Sequence, residues 1–399
     1  MPINRLYQSE STASPLPGAA LWRLGFRPFY LLAALFAVIS VPAWVLQATG
    51  HASLKLDLPW HMHEMVFGFA AAVIIGFLFT AGRNWTNQPT PSGAHLAALC
   101  ALWLAGRCAM LASAAYGYHP ALAAIDALLL PLAAWPLYRA IRRAASHRNL
   151  PIIGILALLA AFNLIFHASM LGWLALSPLA PVHGAILLIT MLEAVMGGRV
   201  IPMFTANGAP GSKPRSRRWL ERASLASLAL AALAWLLAGP GMLAALACFA
   251  AAALHAARLL GWHPASTLRL PLLWVLHLAY GWIAGGLLLL GLASLGMGSA
   301  STAFHALAVG AMSGLIIGMV TRTALGHTAR PLRAGRAETA MYLLLETGAV
   351  LRLCANLANA GSRNQVLLAA AACWSLSFLL YLIVYAPYLS RPRLDGRDG

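Results

Sequence analysis

Two histidines, a glutamate and two methionines occupy residues 61–65, directly after Trp60 and at the mouth of a long apolar run. Imidazole suits iron, copper and zinc, and a carboxylate beside it can fix its tautomer or carry protons. Successive residues of an α-helix lie about 100° apart. His61 and His63 therefore point to nearly opposite sides, and are expected to serve two centres, or one as ligand and the other as a ligand's partner. On the same geometry Glu64 and Met65 share the His61 side, at i+3 and i+4. Glu64 would then orient the His61 ring or relay protons, or it is simply an acid favoured at a helix N-terminus.

The spacing extends beyond this cluster. His61, His183 and His305 are 122 residues apart each time. His167 and His277 also fall inside apolar runs, as do the charged residues Arg107, Asp126, Glu193, Glu346 and Arg352. Arg107 and Asp126 are nearly equidistant from the turn between their runs, so they are placed to pair across a hairpin. The alternative for Arg107, and for Arg352, is binding a haem propionate, which arginine suits. A lone carboxylate at the middle of a span, as Glu193 is, reads as functional by default, for instance as a proton relay. His51, His95, His119, His147, His255 and His263 fall in loops or at interfaces and read as solvated rings.

The elements that must position these groups are membrane helices. The chain is 61% hydrophobic and 9% charged, against roughly a quarter charged in soluble domains. A spanning helix needs about 20 apolar residues. Breaking the chain at proline, glycine and charge clusters predicts twelve: 29–49, 62–82, 94–115, 119–141, 151–172, 178–198, 220–238, 241–260, 271–294, 302–324, 338–358 and 365–389. The expected fold is all-α and polytopic, with a tail at 1–28, a twelve-helix domain at 29–389 and a second tail at 390–399. No secretory signal peptide is read in residues 1–28, whose basic residues are Arg5, Arg23 and Arg27.

The formal charge of +17 is placed by side. Arg83, the Arg139–Arg148 cluster, the 213–222 loop, Arg258, Arg269, Arg330, Arg333 and Arg336 all fall in alternate turns, while the opposite loops offer little beyond Lys55 and Arg363. Lysine and arginine favour the cytoplasmic side. Both termini are therefore expected in the cytoplasm, and the charge is a topology signal. It is not a nucleic-acid footprint, which would need a soluble basic domain. On that orientation His61, His63, His167, His183 and His305 share the outer depth, and His277 and His327 lie toward the inner side. Five histidines at one depth suggest metal or haem. His61, His183 and His305 each open the second helix of a four-helix block, and Arg83, Arg199 and Arg322 close those helices, which hints at a threefold repeat.

Cys100, Cys108, Cys248, Cys354 and Cys373 lie in apolar runs with no CxxC or CxxCH, which argues against a zinc ribbon, a disulfide scaffold and covalently attached haem. No P-loop, GxSxG or HExxH is present.

The stretches WHMHEMVFGF, GFLFTAGRNWT, LWLAGR, GGRVIPMFTAN, PLLWVLHLAYGW, HALAVGAMSGLIIGMVTRTALGHTAR and LLLETGAVLR together resemble the NnrS family, over about residues 22–385. The resemblance implies a bacterial inner-membrane protein with haem b and copper, linked to nitric oxide and denitrification, and no settled reaction. By motif it carries over His61, His63 and Glu64; Arg83, Asn84 and Trp85; Arg199, Pro202 and Asn207; His277; His305; and Arg322, His327 and Thr328. Haem-copper oxidases also use three four-helix arcs, but this chain lacks their adjacent His-His pair, which weighs against an oxidase-type binuclear centre. The expected function is resistance or response to nitric oxide and nitrosative stress, with nitric oxide as ligand and an electron donor the sequence does not name. The rival readings are a transporter or metal-handling carrier, and a sensor or assembly factor without turnover.

Overall fold

The computed structural model describes residues 19–397, and these contain helices and no strand. Most of the N-terminal tail, Arg5 included, lies outside them. After a short turn at Ala19–Trp22 come twelve long helices: α1 (Phe26–Ala48), α2 (Leu58–Thr86), α3 (Gly93–Tyr116), α4 (Pro120–Arg143), α5 (Leu150–Met170) and α6 (Leu179–Gly208). Then follow α7 (Arg218–Ala238), α8 (Met242–Gly261), α9 (Pro271–Ser294), α10 (Ala300–His327), α11 (Arg336–Cys354) and α12 (Ala360–Leu389). Eleven are long and apolar enough to cross a membrane. The exception is α11, whose sequence carries Arg336, Glu338, Glu346 and Arg352.

Three histidine-bearing helices, α2, α6 and α10, pack together inside the bundle, with α9, itself 56% buried, against them. The apolar windows of α2 and α10 are 83% and 78% buried within the protein, and that of α6 is 56% buried, whereas that of α7 is only 17% buried. α6 touches both α2 and α10. Around them, α1 packs on α12, so the two ends of the bundle meet. Trp374 Nε1 donates to Ala37 O at 3.0 Å across that seam, and Arg27 donates to the carbonyls of Leu389 and Arg391. Leu230, Leu237 and Leu243 on α7 and α8 are more than half exposed. Outward leucines on a peripheral helix are what a lipid-facing surface requires.

The helix ends follow local chemistry. Asp57 caps α2 by accepting from Trp60 N at 2.8 Å, with proline in the first turn. Asn87, at a φ of 50°, closes the same helix in the left-handed conformation. The α6 helix departs from the sequence expectation. It runs ten residues past 198, through Arg199 and Pro202 to Gly208. Thr205 stabilises this extension by donating its hydroxyl to Ile201 O at 2.9 Å.

A second departure is inside α2 and α10. Each begins as a six-residue α-helix, Leu58–His63 and Ala300–His305, and then widens into a π-helix, Glu64–Ala70 and Ala306–Ser313. In α2 the Ala71 amide reaches back five residues to Val66 O. π segments concentrate at functional sites because they re-aim side chains. The first and third blocks thus share this device within three residues of His61 and His305. The second block does not, since α6 is α-helical throughout.

Candidate functional site

Three imidazoles stand at one end of the three inner helices. His61, His183 and His305 are each half-buried. His61 and His183 both lie within electrostatic reach of His305, as does Arg352 of His61 and His305. Aromatic rings wall the group. His183 lies flat on Phe304, with ring centres 3.8 Å apart and planes 1° apart, and His61 stacks on Trp44 at 5.0 Å and 10°.

The free nitrogens matter most. His305 Nδ1 donates to Ser301 O, one turn back, at 2.7 Å. That bond fixes the tautomer and leaves Nε2 as an unprotonated donor, the arrangement typical of a metal-ligating histidine. His61 Nδ1 is buried and without a hydrogen-bond partner. Among the described residues no carboxylate pairs with these rings; the imidazole–carboxylate pairs are those of His63 and His167. Neutral nitrogen donors walled by aromatics fit haem iron or copper. Arg352, which donates to Asn356 Oδ1 at 3.2 Å, is the arginine beside His61 and His305.

His63, two residues from His61, belongs to a different assembly. Its Nδ1 lies 3.0 Å from Glu64 Oε1, and its Nε2 lies 2.9 Å from Asn163 Oδ1 and 3.1 Å from Asp126 Oδ2. Arg107 of α3 bridges both acids, bonding Glu64 Oε1 and Asp126 Oδ1. Asp126 Oδ2 also accepts from Asn163 Nδ2 at 2.9 Å and lies 3.0 Å from His167 Nε2. Gly68 and Gly106 make room: a Cβ at Gly68 would meet Arg107 Nη1, and one at Gly106 would meet Asp126 Oδ1 at 3.0 Å. The network thus ties α2, α3, α4 and α5 together through side chains that are almost completely buried.

This corrects the expected partnership of Glu64. The carboxylate does not share the His61 side; it bonds His63 and Arg107. Residue 64 is where the helix widens, so the i+3 geometry of an α-helix no longer applies. Opposite aims of His61 and His63 do hold. One faces Trp44 and Arg352, the other faces Asn163 and Asp126.

His63, Asp126 and His167 offer ligand atoms within 4.8 Å of one another, close enough for a metal ion. Yet each of those atoms already has a hydrogen-bond partner, and Asp126 also carries the Arg107 guanidinium. Both His63 nitrogens face acceptors, so the ring can donate twice as imidazolium. Two cations then meet two carboxylates, and the charges balance. Although Glu64 Oε2, Arg107 Nε and His167 Nδ1 have no partner, the donor set fits a charge-balanced ion-pair lock better than a metal site.

The other sequence candidates lie elsewhere. His277 is buried between α9 and α6, with Nδ1 3.0 Å from Leu273 O and Nε2 3.3 Å from Thr205 Oγ1. Glu346 Oε2 accepts from Trp282 Nε1 at 2.7 Å. At the opposite ends of the inner helices, Arg83, Asn84 and Asn207 are exposed, and Arg199 donates to Asn149 Oδ1 at 3.2 Å. Arg322 sits 3.8 Å above the Phe204 ring, and His327 packs on Phe26 at 5.4 Å. Sequence reading missed Asn163, Trp44 and Phe304, and it placed His255 and Arg258 wrongly: both are buried inside α8 in a second network, where Arg258 bonds Glu221 and Tyr280 while His255 bonds Tyr280. Asn163 left one signal, a polar residue four before His167 on the same helical face.

The family model for the NnrS protein matches residues 20–393, nearly the whole chain. No curated protein matches it.

Proposed function

From the premise that the chain belongs to the NnrS family of membrane proteins, which is tied to the nitric oxide response, we propose that it binds haem b, with copper as a second metal, and uses that centre to meet nitric oxide. The observation that carries this reading is the group of three imidazoles on the inner helices, one of them with Nδ1 held by a backbone carbonyl and Nε2 free. His61, His183 and His305 are the residues that would hold iron or copper. Bound haem iron would supply a position that takes nitric oxide.

The chain's own residues prepare that place. Ser301 O sets the His305 tautomer. Trp44 and Phe304 fix the planes of His61 and His183 and exclude water from one face of each. Arg352 supplies the positive charge that a propionate would meet. The arginine distribution supports a bacterial inner membrane with both termini in the cytoplasm and this layer facing outward. Turnover at the centre would need an electron donor that the sequence does not name.

The test is a reduced-minus-oxidised spectrum, a pyridine haemochrome and metal analysis of protein purified from a haem-replete host. A b-type band is expected, lost or shifted in a subset of His61→Ala, His183→Ala and His305→Ala. Preparations that never carry haem or copper would overturn the proposal and favour a carrier.

A further inference from the structure

Below the histidine layer an open cleft runs between α2, α6 and α10. Its walls are apolar, with Val73 and Phe77 from α2, Leu192 and Val200 from α6, and Leu315 and Ile316 from α10. Tyr30 and Glu193 also border it, but Tyr30 Oη and Glu193 Oε2 are buried in the protein and turn no polar surface toward it. No histidine lines the cleft, which sets it apart from the triad. On α6 the lining runs from Ile189 to Ile201, about 18 Å along the helix axis. Met196, Met312 and Met319 are spread along that length. Such unbranched, polarisable side chains adapt to a ligand that is itself flexible and apolar.

Charge enters at the lower end. Phe204 follows Val200 and Ile201 on the same face of α6, and Arg322 follows Met319 by one turn on α10. The Arg322 guanidinium lies 3.8 Å above the Phe204 ring, so it reaches from α10 to α6 at the foot of the cleft. Arg322 is half-buried, and among the described residues no carboxylate pairs with it. A cation without its own anion, at the foot of an apolar slot, matches an amphiphile with a negative head. We propose that the cleft holds the acyl chain of a fatty acid, with its carboxylate on the Arg322 guanidinium. One acyl chain fills half of a hydrocarbon core about 30 Å thick, about 15 Å, which is close to the length of the cleft. The position between three interior helices favours this single chain over the paired chains of a phospholipid. The site does not rest on the haem reading.

Binding of radiolabelled palmitate to the full-length protein in phosphatidylcholine nanodiscs tests it. Saturable binding is expected, above that of protein-free discs. Arg322→Gln weakens palmitate roughly tenfold, the loss of a charge-assisted bond, and leaves hexadecanol, the uncharged alcohol of the same chain, unchanged. Val200→Trp fills the cleft and abolishes binding of both, and Met319→Trp serves where Val200→Trp does not fold. Haem content and melting midpoint are read on the same samples. A folded tryptophan variant with its haem content unaltered and no palmitate supports the site. Three results overturn the proposal: no saturable binding, palmitate retained equally by both tryptophan variants, or palmitate displaced as readily by phosphatidylglycerol as by unlabelled palmitate. A tryptophan variant that loses haem and keeps palmitate assigns the cleft to haem and overturns it too. Haem absent from every preparation, with palmitate bound and lost as expected, rejects only the histidine centre.

Discussion

His61 and His63 stand two residues apart on one helix and live in opposite chemical worlds. Both nitrogens of His63 are consumed by oxygen acceptors within a ring of charges that closes on itself. His61 has an aromatic face against Trp44, a buried nitrogen with no partner, and two other histidines at its level. The contrast teaches where to look for function. A dense network of ion pairs, in which only Glu64 Oε2, Arg107 Nε and His167 Nδ1 lack a partner, stabilises and specifies the fold, while neutral rings with a free nitrogen and no ionic partner await a ligand. On this criterion the network is the lock of the first four-helix block, and the histidine triad is the place where chemistry is expected.

The strongest way to break that division is to remove the centre of the lock. Arg107→Met leaves Glu64 and Asp126 buried with one remaining cation partner. Breaking a buried ion pair from one side costs about 3–5 kcal/mol. The expected result is a large drop in thermal stability in detergent, or loss of folded protein. The triad variants His61→Ala, His183→Ala and His305→Ala should behave oppositely, keeping the melting midpoint of metal-free protein while losing metal. If His61→Ala proves as damaging to the metal-free fold as Arg107→Met, the two regions are not distinct.

Asn163→Leu sharpens the same comparison at lower amplitude. It removes a donor to Asp126 and an acceptor from His63. Leaving such groups unsatisfied costs about 1–3 kcal/mol. Stability should fall by that order in urea or thermal unfolding, with haem content per folded protein unchanged. The second network offers an internal scale. Arg258→Met also cuts a salt bridge, but its partner Glu221 has a side chain 25% exposed, so water takes over part of the lost interaction. Its effect should be smaller than that of Arg107→Met, as measured under identical conditions.

Sequence showed a good deal of this arrangement, and physical reasons separate what it showed from what it hid. Helix ends were legible wherever proline, glycine or charge interrupts an apolar run, as at Pro120, Gly93 and Pro271. Arg199 and Pro202 misled for the same reason: both look like a stop, yet the helix end beyond 198 lies where an arginine is tolerated and Thr205 supports the backbone. That His61, His183 and His305 share one end of the bundle was legible in their equivalent positions at the starts of their apolar runs. The π segments left no such trace, because Glu64–Ala70 and Ala306–Ser313 read as ordinary helix formers, and widening is decided by neighbours. The partnership of Glu64 was hidden with them. Asp126 and Arg107 were readable as a hairpin pair, but joining them to His63, Asn163 and His167 required knowing that α2 and α5 approach α4.

The π segments supply a more selective probe of the triad than any alanine. Deleting one residue between Ala306 and Ser313 should return that stretch toward α geometry, and shift the ring of His305 by about 100° relative to the helix below it. The expected outcome is a folded protein with an altered or absent b-type band, since the deletion touches none of the network residues.

The smallest expected effect concerns the wall of the triad. Trp44→Leu keeps an apolar side chain beside His61 but removes the flat partner on which the ring rests at 5.0 Å. Aromatic stacking of this kind contributes about 0.5–1.5 kcal/mol beyond burial. Folding stability should therefore change little, because the position lies at the rim of the bundle and touches no ion pair of the lock. If Trp44 acts by orienting His61, its loss appears in the occupancy of the centre: a few-fold weaker haem or copper retention on dilution, with the melting midpoint of the metal-free protein unmoved. If Trp44 is only packing, the two readouts move the other way round, with a lower midpoint and unaltered retention. That pair of measurements assigns the aromatic wall to one side of the comparison or the other.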